Sequence, residues 1–352
     1  MAQHAARTPT VIPPKTFADN DRTAFTRALH SPWYALVADL QDTVHRTTAA
    51  YAHTRGLSAL PLPLTTRTIT CPTGYGSDTE AVRVQVNGVD TYLQDSMQFL
   101  LEYGCRLAPG GCWTIMPSFR GEAPDSAHLN QFTHSEAEIP GDLEDLMDYV
   151  DGYVKALAWA ILDEHGDRLA ATRGDISHLQ RMACHAGPFA RVTLKEAVHI
   201  VGDVEGCVRD ENLWRSLTRK GERLLMDRVN EFVWLHHLDT LSVPFYQAFG
   251  DDEAHTARAA DLLFGVGEVV GSGERHADAG LLRKSIALHN VHEEDYDWYV
   301  SMREELPMRT SGFGMGVERF LMWVLDHDDI RDIPLVSRVA EPEAWPRVIA
   351  RP

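Results

Sequence analysis

Long apolar runs are missing from this 352-residue chain. No segment approaches the roughly 18 consecutive apolar residues that a membrane-spanning helix requires. Met1 to Arg7 is not followed by the apolar core of a signal peptide, so the sequence predicts a cytoplasmic protein. Cysteine is scarce: Cys71, Cys105, Cys112, Cys184 and Cys207 are odd in number and widely spaced. That pattern argues against a disulfide framework or a cysteine zinc site and predicts reduced thiols. Histidine is plentiful, but the one adjacent pair is His236-His237 and no HExxH-like spacing occurs. A dedicated transition-metal centre is not expected. Positive charge is in short supply: 33 Lys and Arg stand against 51 Asp and Glu, a net charge of −18. No Lys/Arg cluster is present to neutralise a phosphate backbone, so a polynucleotide substrate is disfavoured.

What is present reads as a folded chain of mixed class. Residues 1–20 are expected to be a flexible lead, and 21–352 a catalytic domain. Residues 20–55 read as helical, with Gly56 as a stop. Leu57 to Leu64, with Pro61 and Pro63, reads as extended but unsuited to a central strand. Ala81 to Val86 alternates, Asn87-Gly88 is a hairpin turn signal, and Thr91 to Gln94 is the return strand. Ser96 to Tyr103 reads as a short helix ending at Gly104. Cys112–Phe119 and Phe132–Ile139 read as antiparallel strands. Leu143, Leu146, Met147, Val150, Val154, Leu157 and Ile161 repeat at helical spacing, so a long helix is predicted from Asp142 to about His165. The stretch 170–250 reads as mostly helical. Strands at 262–264, 266–270 and 311–319 complete an α+β pattern with an antiparallel sheet.

Two segments carry chemistry. In Ser311-Gly312-Phe313-Gly314-Met315-Gly316-Val317-Glu318-Arg319-Phe320, alternating glycines let a strand approach a flat ligand. Arg319, at the start of the following helix, suits phosphate. Upstream, Ser118-Phe119-Arg120-Gly121-Glu122 follows a strand. An Arg and a Glu two apart on a strand share a face. Arg120 can grip a nucleotide phosphate while Glu122 takes a base or amino group.

With these segments placed, the chain resembles the catalytic domain of a class II aminoacyl-tRNA synthetase, most closely the asparaginyl/aspartyl branch. Gly56 to Pro63 resembles the dimer-interface motif, Phe119 to Glu122 the second motif, and Gly312 to Arg319 the third. The tail Asp329 to Pro334 also matches. The resemblance implies a six- or seven-stranded antiparallel sheet, a homodimer, and ATP and Mg²⁺ as cofactors. It assigns ATP contacts to Arg120, Glu122, His128, Asp261, Glu268, Gly316 and Arg319, with Mg²⁺ on Asp261 and Glu268. Arg120 and Arg319 would be the catalytic cations. Ser77-Asp78-Thr79-Glu80 resembles the segment whose Glu holds the substrate ammonium, and Ser96-Met97-Gln98 a turn at the same end. An ammonium calls for Glu80 and the Gln98 carbonyl. Gly271 to Arg275 resembles a Gly-rich turn whose Arg275 takes the substrate side-chain oxygen. Glu136 stands where asparaginyl enzymes accept from the amide NH₂, and Leu101 stands where aspartyl enzymes carry a Lys. A carboxylate facing the side chain rewards asparagine over aspartate. Phe245-Tyr246 is expected as core or pocket wall, and Asp329, Arg331 and Asp332 as a structural ion-pair corner.

The chain also departs from the family. About 25 residues precede the core, too few for the anticodon-gripping OB-fold. Ala127 replaces an Arg, and Gln131 an acid. The expectation is tRNA-independent, ATP-dependent formation of an aminoacyl-adenylate from asparagine, aspartate or an analogue, followed by transfer to a small acceptor, a carrier-protein thiol or ammonia. The alternatives are an asparagine synthetase-like enzyme acting on aspartate and ammonia, and a non-catalytic, amino-acid-binding regulatory paralogue. Charging of tRNA through a partner that recognises the anticodon is a further possibility.

Overall fold

The computed structural model describes residues 11–16, 24–71, 75 and 79–336. Ser77, Asp78 and most of the lead lie outside the described residues. Within the lead, the Val11 amide donates to the Thr172 carbonyl at 3.3 Å and Lys15 pairs with Asp329 and Asp332.

The helical reading of 20–55 divides in two, α1 (Ala24–Ala28) and α2 (Pro32–Thr54). Pro32 sits in the first turn of α2, where the missing N–H costs nothing. Trp33, Leu36, Val37, Leu40 and Val44 form its buried stripe. After β1 (Ser58–Ala59) and β2 (Thr65–Thr66) comes the hairpin β3 (Arg83–Val86) and β4 (Val89–Leu93), turning at Asn87-Gly88 as predicted. Helix α3 spans Gln98–Leu107 and runs through Gly104 instead of stopping there. Gly104 serves packing: a Cβ would lie 2.5 Å from Leu60 and 2.9 Å from the Cys112 sulfur.

Strands β5 (Cys112–Phe119) and β6 (Gln131–Pro140) follow as expected. Helix α4 (Leu143–Arg173) opens with a capping box between Asp142 and Asp145 and runs beyond His165. The region 170–250 corrects the helical reading, because strands alternate with helices: α5 (Ser177–Ala183), β7 (Ala190–Thr193), α6 (Leu194–Val201), β8 (Val208–Asp210), β9 (Arg215–Leu217), α7 (Arg219–Arg228) and β10 (Val233–Asp239). The chain ends through β11 (Thr256–Phe264), β12 (Gly267–Glu274), α8 (Ala279–Leu288), α9 (Asp297–Glu305), β13 (Thr310–Gly316) and α10 (Val317–Val324).

The main sheet has the order β1-β5-β6-β13-β12-β11-β10-β7. Its six inner strands pair antiparallel, and the short edges β1 and β7 pair parallel to β5 and β10. Pro61 and Pro63 thus follow an edge strand, as the sequence requires. The largest core joins α2, α4 and α10 to one sheet face through Leu146, Val150, Phe313, Met315 and Phe320. Phe313 and Met315 alternate with Gly312, Gly314 and Gly316, which leaves the opposite face of β13 without side chains from Gly312 to Gly316. In register, Gly312 lies beside Glu138 and Gly314 beside Glu136. The glycines make room on that face for carboxylates.

Candidate active site

The bare face of β13 is walled by carboxylates and two arginines. Glu136 of β6 is buried; its Oε1 accepts from the Ser96 hydroxyl at 2.5 Å and its Oε2 from the Met97 amide at 2.9 Å. Burial is the main reason its carboxyl is pushed up to about 7, a rise that these two hydrogen bonds and the Arg275 charge hold back. Two residues along the strand, Glu138 meets Arg275. Arg275 Nε lies 3.1 Å from Glu138 Oε1 and Nη2 lies 3.0 Å from Oε2. Nη1 reaches Gln247 Oε1 at 3.0 Å, and Nη2 also reaches Gln98 Oε1 at 2.6 Å.

Two expectations change here. Gly271 and Gly273 lie within strand β12, not in a turn. The Arg275 fork is committed to the protein's own Glu138, so it offers a ligand its remaining Nη1 hydrogen and the fixed amides of Gln98 and Gln247. A guanidinium has only donors, so one lone pair of the Gln98 carbonyl is already spent on Arg275. That carbonyl is therefore a weaker ammonium acceptor than the sequence implied. Gly273 is required by this packing, since a Cβ there would stand 2.0 Å from the Gln247 oxygen.

On β11 and β12 the carboxylates of Asp261 and Glu268 converge. Their oxygens lie 3.8 and 3.1 Å from the place a Cβ would take on Gly271. Glu222 of α7 adds a third negative charge. Burial first, then Glu268 and Glu222, raise Asp261 well above the usual carboxylate range. Burial and Glu268 push Glu222 up to about 7. Among the described residues no group of three side chains is placed to hold a metal ion, so Asp261 and Glu268 offer a divalent cation two hard oxygen donors, with phosphate oxygens to complete its shell. Arg319 flanks it, donating to the Glu268 carbonyl at 2.9 Å.

Arg120 and Glu122 stand past the end of β5, in the loop, so the shared-strand-face argument is replaced by loop geometry. The Asn130 amide holds this loop by donating to the carbonyls of Arg120 and Glu122. Arg120 Nε and Glu122 Oε2 are buried without a partner among the described residues. A buried unpaired donor and acceptor are costly in the free protein. Both fit the nucleotide assigned to them, a phosphate for Arg120 and an amino group for Glu122. The other Glu122 oxygen accepts from the Glu80 amide at 3.1 Å. Exposed Glu80 packs against Gly121 and is not among the residues lining the cavity.

That cavity, of about 310 Å³, brings together Ser96, Gln98, Arg120, Asp261, Glu268 and Gly314. An adjoining one of about 100 Å³ shares Arg120, Glu268 and Gly314 and adds His128, Gly316 and Arg319. Glu136 and Arg275 lie beneath these walls, almost wholly buried. Tyr246 lines the larger cavity and Phe245 packs beside it, as predicted. The ion-pair corner is also present: Arg331 pairs with Asp329, and His327 Nε2 lies 2.8 Å from Asp332. A larger groove of about 1160 Å³, bounded by Arg173, Asp227 and Trp323, shares no residue with either cavity.

Sequence reasoning missed Glu138, Gln247, Glu222 and His134. His134, between Arg120 and Glu136, accepts from or donates to the Ser118 hydroxyl at 2.9 Å. Burial, reinforced by Arg120 and Arg319, lowers it to about 3 and keeps it neutral. The one available signal was alternation along β6, which sets His134, Glu136 and Glu138 on a single face.

Known proteins resemble this chain in both sequence and fold. The family described as tRNA synthetases class II (D, K and N) matches residues 28–339. The asparagine–tRNA ligase of Chloroflexus aurantiacus is 30% identical over 250 residues, 68% of this chain and 56% of the relative. That of Deinococcus deserti is 28% identical over 316 residues, covering 86% and 69%. The chain thus spans 56% of the length of the first of these relatives. The asparaginyl-tRNA synthetase of Pyrococcus horikoshii complexed with asparaginyl-adenylate superposes with a TM-score of 0.79 at 24% identity, covering 90% of this chain and 70% of that one.

Proposed function

The chain belongs to the tRNA synthetases class II (D, K and N), and from that premise we propose that it activates asparagine to asparaginyl-adenylate without tRNA and passes the acyl group to a small acceptor. The observation that carries this reading is Glu136, a buried carboxylate held by Ser96 and Met97 beneath the cavity. An ionised Glu136 accepts from an amide NH₂ and repels a second carboxylate, which selects asparagine over aspartate.

In the proposed step an α-carboxylate oxygen forms a bond to the α-phosphorus of ATP. The bond to the bridging oxygen breaks, and pyrophosphate leaves with that electron pair. Arg120 stabilises charge on the α-phosphate, and Arg319 holds the pyrophosphate. Glu122 takes the adenine amino group, while His128 and Gly316 border the nucleotide. Asp261 and Glu268 would hold Mg²⁺, which supplies neutralisation of the phosphate oxygens. Ser96 and Gln98 orient the amino acid, with Arg275 acting on its side-chain oxygen through the remaining Nη1 hydrogen, and Glu80 is the candidate for its ammonium. The chemistry is positioning and preorganised charge, with no protein nucleophile. The net charge of −18 and Ala127 in the second-motif loop support independence from tRNA. A homodimer through the Pro63 segment and a cytoplasmic location complete the proposal; among the described residues no helix is long and apolar enough to cross a membrane.

One observation favours a second reading. With its carboxyl pushed up to about 7, Glu136 is partly protonated near neutrality and then tolerates aspartate. Aspartate would be activated and trapped by ammonia. Amino-acid-dependent ATP–pyrophosphate exchange, with and without total tRNA, separates the readings. Exchange with asparagine and without tRNA supports the first. Exchange with aspartate moves the assignment to the second, and a strict requirement for tRNA contradicts both.

A further inference from the structure

The cavity has walls that the proposed activation chemistry does not use. Beyond Asp261 it continues between the β9 strand, the start of α6 and the end of β10, where Leu194, Arg215, Leu217, Leu238 and Val243 line it. The activation chemistry uses none of these residues. Leu194, Leu217, Leu238 and Val243 give the lobe an apolar wall beside one cation, Arg215, and that cation is fixed. The Arg215 amide donates to Asp239 Oδ2 at 2.8 Å, its Nε to the same oxygen at 3.2 Å, and its Nη2 to Oδ1 at 3.4 Å. Asp239 therefore occupies one edge of the guanidinium. The other edge, Nη1 with the second Nη2 hydrogen, has the fork geometry that matches a carboxylate. The side chain is 42% exposed and lines the cavity. The Ser216 and Ser242 hydroxyls border the same lobe.

We propose that this lobe is the acceptor site, and that the acceptor is a second amino acid with a small apolar side chain. This rests on the activation reading given above and supplies its missing co-substrate. The acceptor carboxylate sits on the outer edge of Arg215, and its side chain lies among Leu194, Leu217 and Val243. Its amine points along the cavity toward the Ser96 and Gln98 end, where the activated acyl group lies. The amine lone pair forms a C–N bond to the acyl carbon. The acyl C–O bond to phosphate breaks, and AMP leaves with that electron pair. The proton lost by the amine passes to the AMP phosphate and then to solvent. The product is an amide that retains the acceptor carboxylate.

The test compares nucleophiles with and without a carboxylate on the purified full chain, supplied with ATP, Mg²⁺ and asparagine or aspartate. Hydroxylamine serves as the reference nucleophile because it needs no acceptor site; it reports acyl activation as hydroxamate. Glycine, alanine and valine are set against methylamine, ethylamine and isobutylamine, with AMP release and the mass of the amide as readouts. The wild-type protein is expected to show a KM for the amino acids at least about 10-fold below that for the matched amines, as a charge-assisted hydrogen-bonded pair implies. In Arg215→Ala this preference collapses to about 2-fold or less, each rate being read against hydroxylamine in the same variant. Arg215→Lys keeps the cation without the fork and restores only part of it. Leu217→Phe narrows the lobe and slows valine more than glycine. Equal use of amines with and without a carboxylate, a preference that survives Arg215→Ala, or product only with ammonia or thiols overturns the proposal while leaving activation standing. Absence of hydroxamate with every amino acid overturns the activation reading, and this inference with it.

Discussion

Arg275 and Glu138 face each other with both ends of the ion pair paired, Nε at 3.1 Å from one carboxylate oxygen and Nη2 at 3.0 Å from the other. Both side chains are 1% exposed or less. Thr310 adds a hydroxyl donor to the same carboxylate at 2.8 Å. Two charges so deeply buried stand only while both are present. Glu138→Ala should therefore cost about 3–5 kcal/mol of stability in urea unfolding. Arg275 would lose its anchor and Gln98 and Gln247 their alignment. Glu138→Gln should cost less and show mainly as a raised KM for the amino acid.

The glycine beside that pair leaves no room for a side chain. A Cβ on Gly312 would lie 1.7 Å from Glu138 Oε2 and 2.6 Å from Arg275 Nη2, whereas one on Gly314 would lie 3.2 Å from Gln98 Nε2. Gly312→Ala is expected to destabilise by about 3 kcal/mol. Gly314→Ala should cost about 1 kcal/mol or less, because the flexible Gln98 can withdraw. Paired urea titrations check the ordering.

The acidic trio on β11, β12 and α7 trades stability for function. Half-buried Asp261 lies beside Glu268 and Glu222, and Asp261 and Glu222 would each be relieved by removing a neighbour's charge. Asp261→Asn is expected to stabilise the ligand-free protein by about 1 kcal/mol while lowering exchange at least about 100-fold. Thermal unfolding with and without Mg²⁺-ATP reads both: the ligand should stabilise the wild type strongly and the variant little.

Glu136 gives a pH signature. Its folded carboxyl is raised from 4.5 to about 7, so between those values the native state holds a proton that the unfolded chain has released. Its contribution to stability is present below about pH 4.5 and is lost as pH rises to about 7. Glu136→Gln removes this titration, so its stability relative to wild type should rise with pH by roughly 3 kcal/mol or less across that window. Neutral His134, lowered to about 3, acts in the opposite direction, as do His236 and His276. The comparison of the two proteins cancels His236 and His276, which a single profile would not.

Much of this site was legible because its chemistry is local in sequence. Alternating glycines from Gly312 to Gly316 and the arginines at 120 and 319 announce themselves within short segments, while Asp261 and Glu268 are marked only by the family resemblance. Glu138 was not legible: its partner, Arg275, is 137 positions away and meets it only through the pairing of β6, β13 and β12. Gln247 and Glu222 are hidden for the same reason. The misreading of 170–250 has another cause. Phe232-Val233-Trp234-Leu235 is a short apolar run, which periodicity cannot assign to helix or strand. Only its neighbours β11 and β7 make it a sheet interior. Gly104 was read as a helix stop because its true constraint, the nearby Leu60 and Cys112, is tertiary.

The most direct test of the central claim is ATP–pyrophosphate exchange with asparagine and with aspartate, in the wild type and Glu136→Gln, at about pH 6 and about pH 8. Exchange with asparagine is expected without tRNA. The asparagine-to-aspartate preference should grow about 10-fold or more as pH passes through the Glu136 titration, and Glu136→Gln should abolish that growth. A preference that is independent of pH and unchanged by Glu136→Gln, or the absence of exchange with both amino acids, would contradict it.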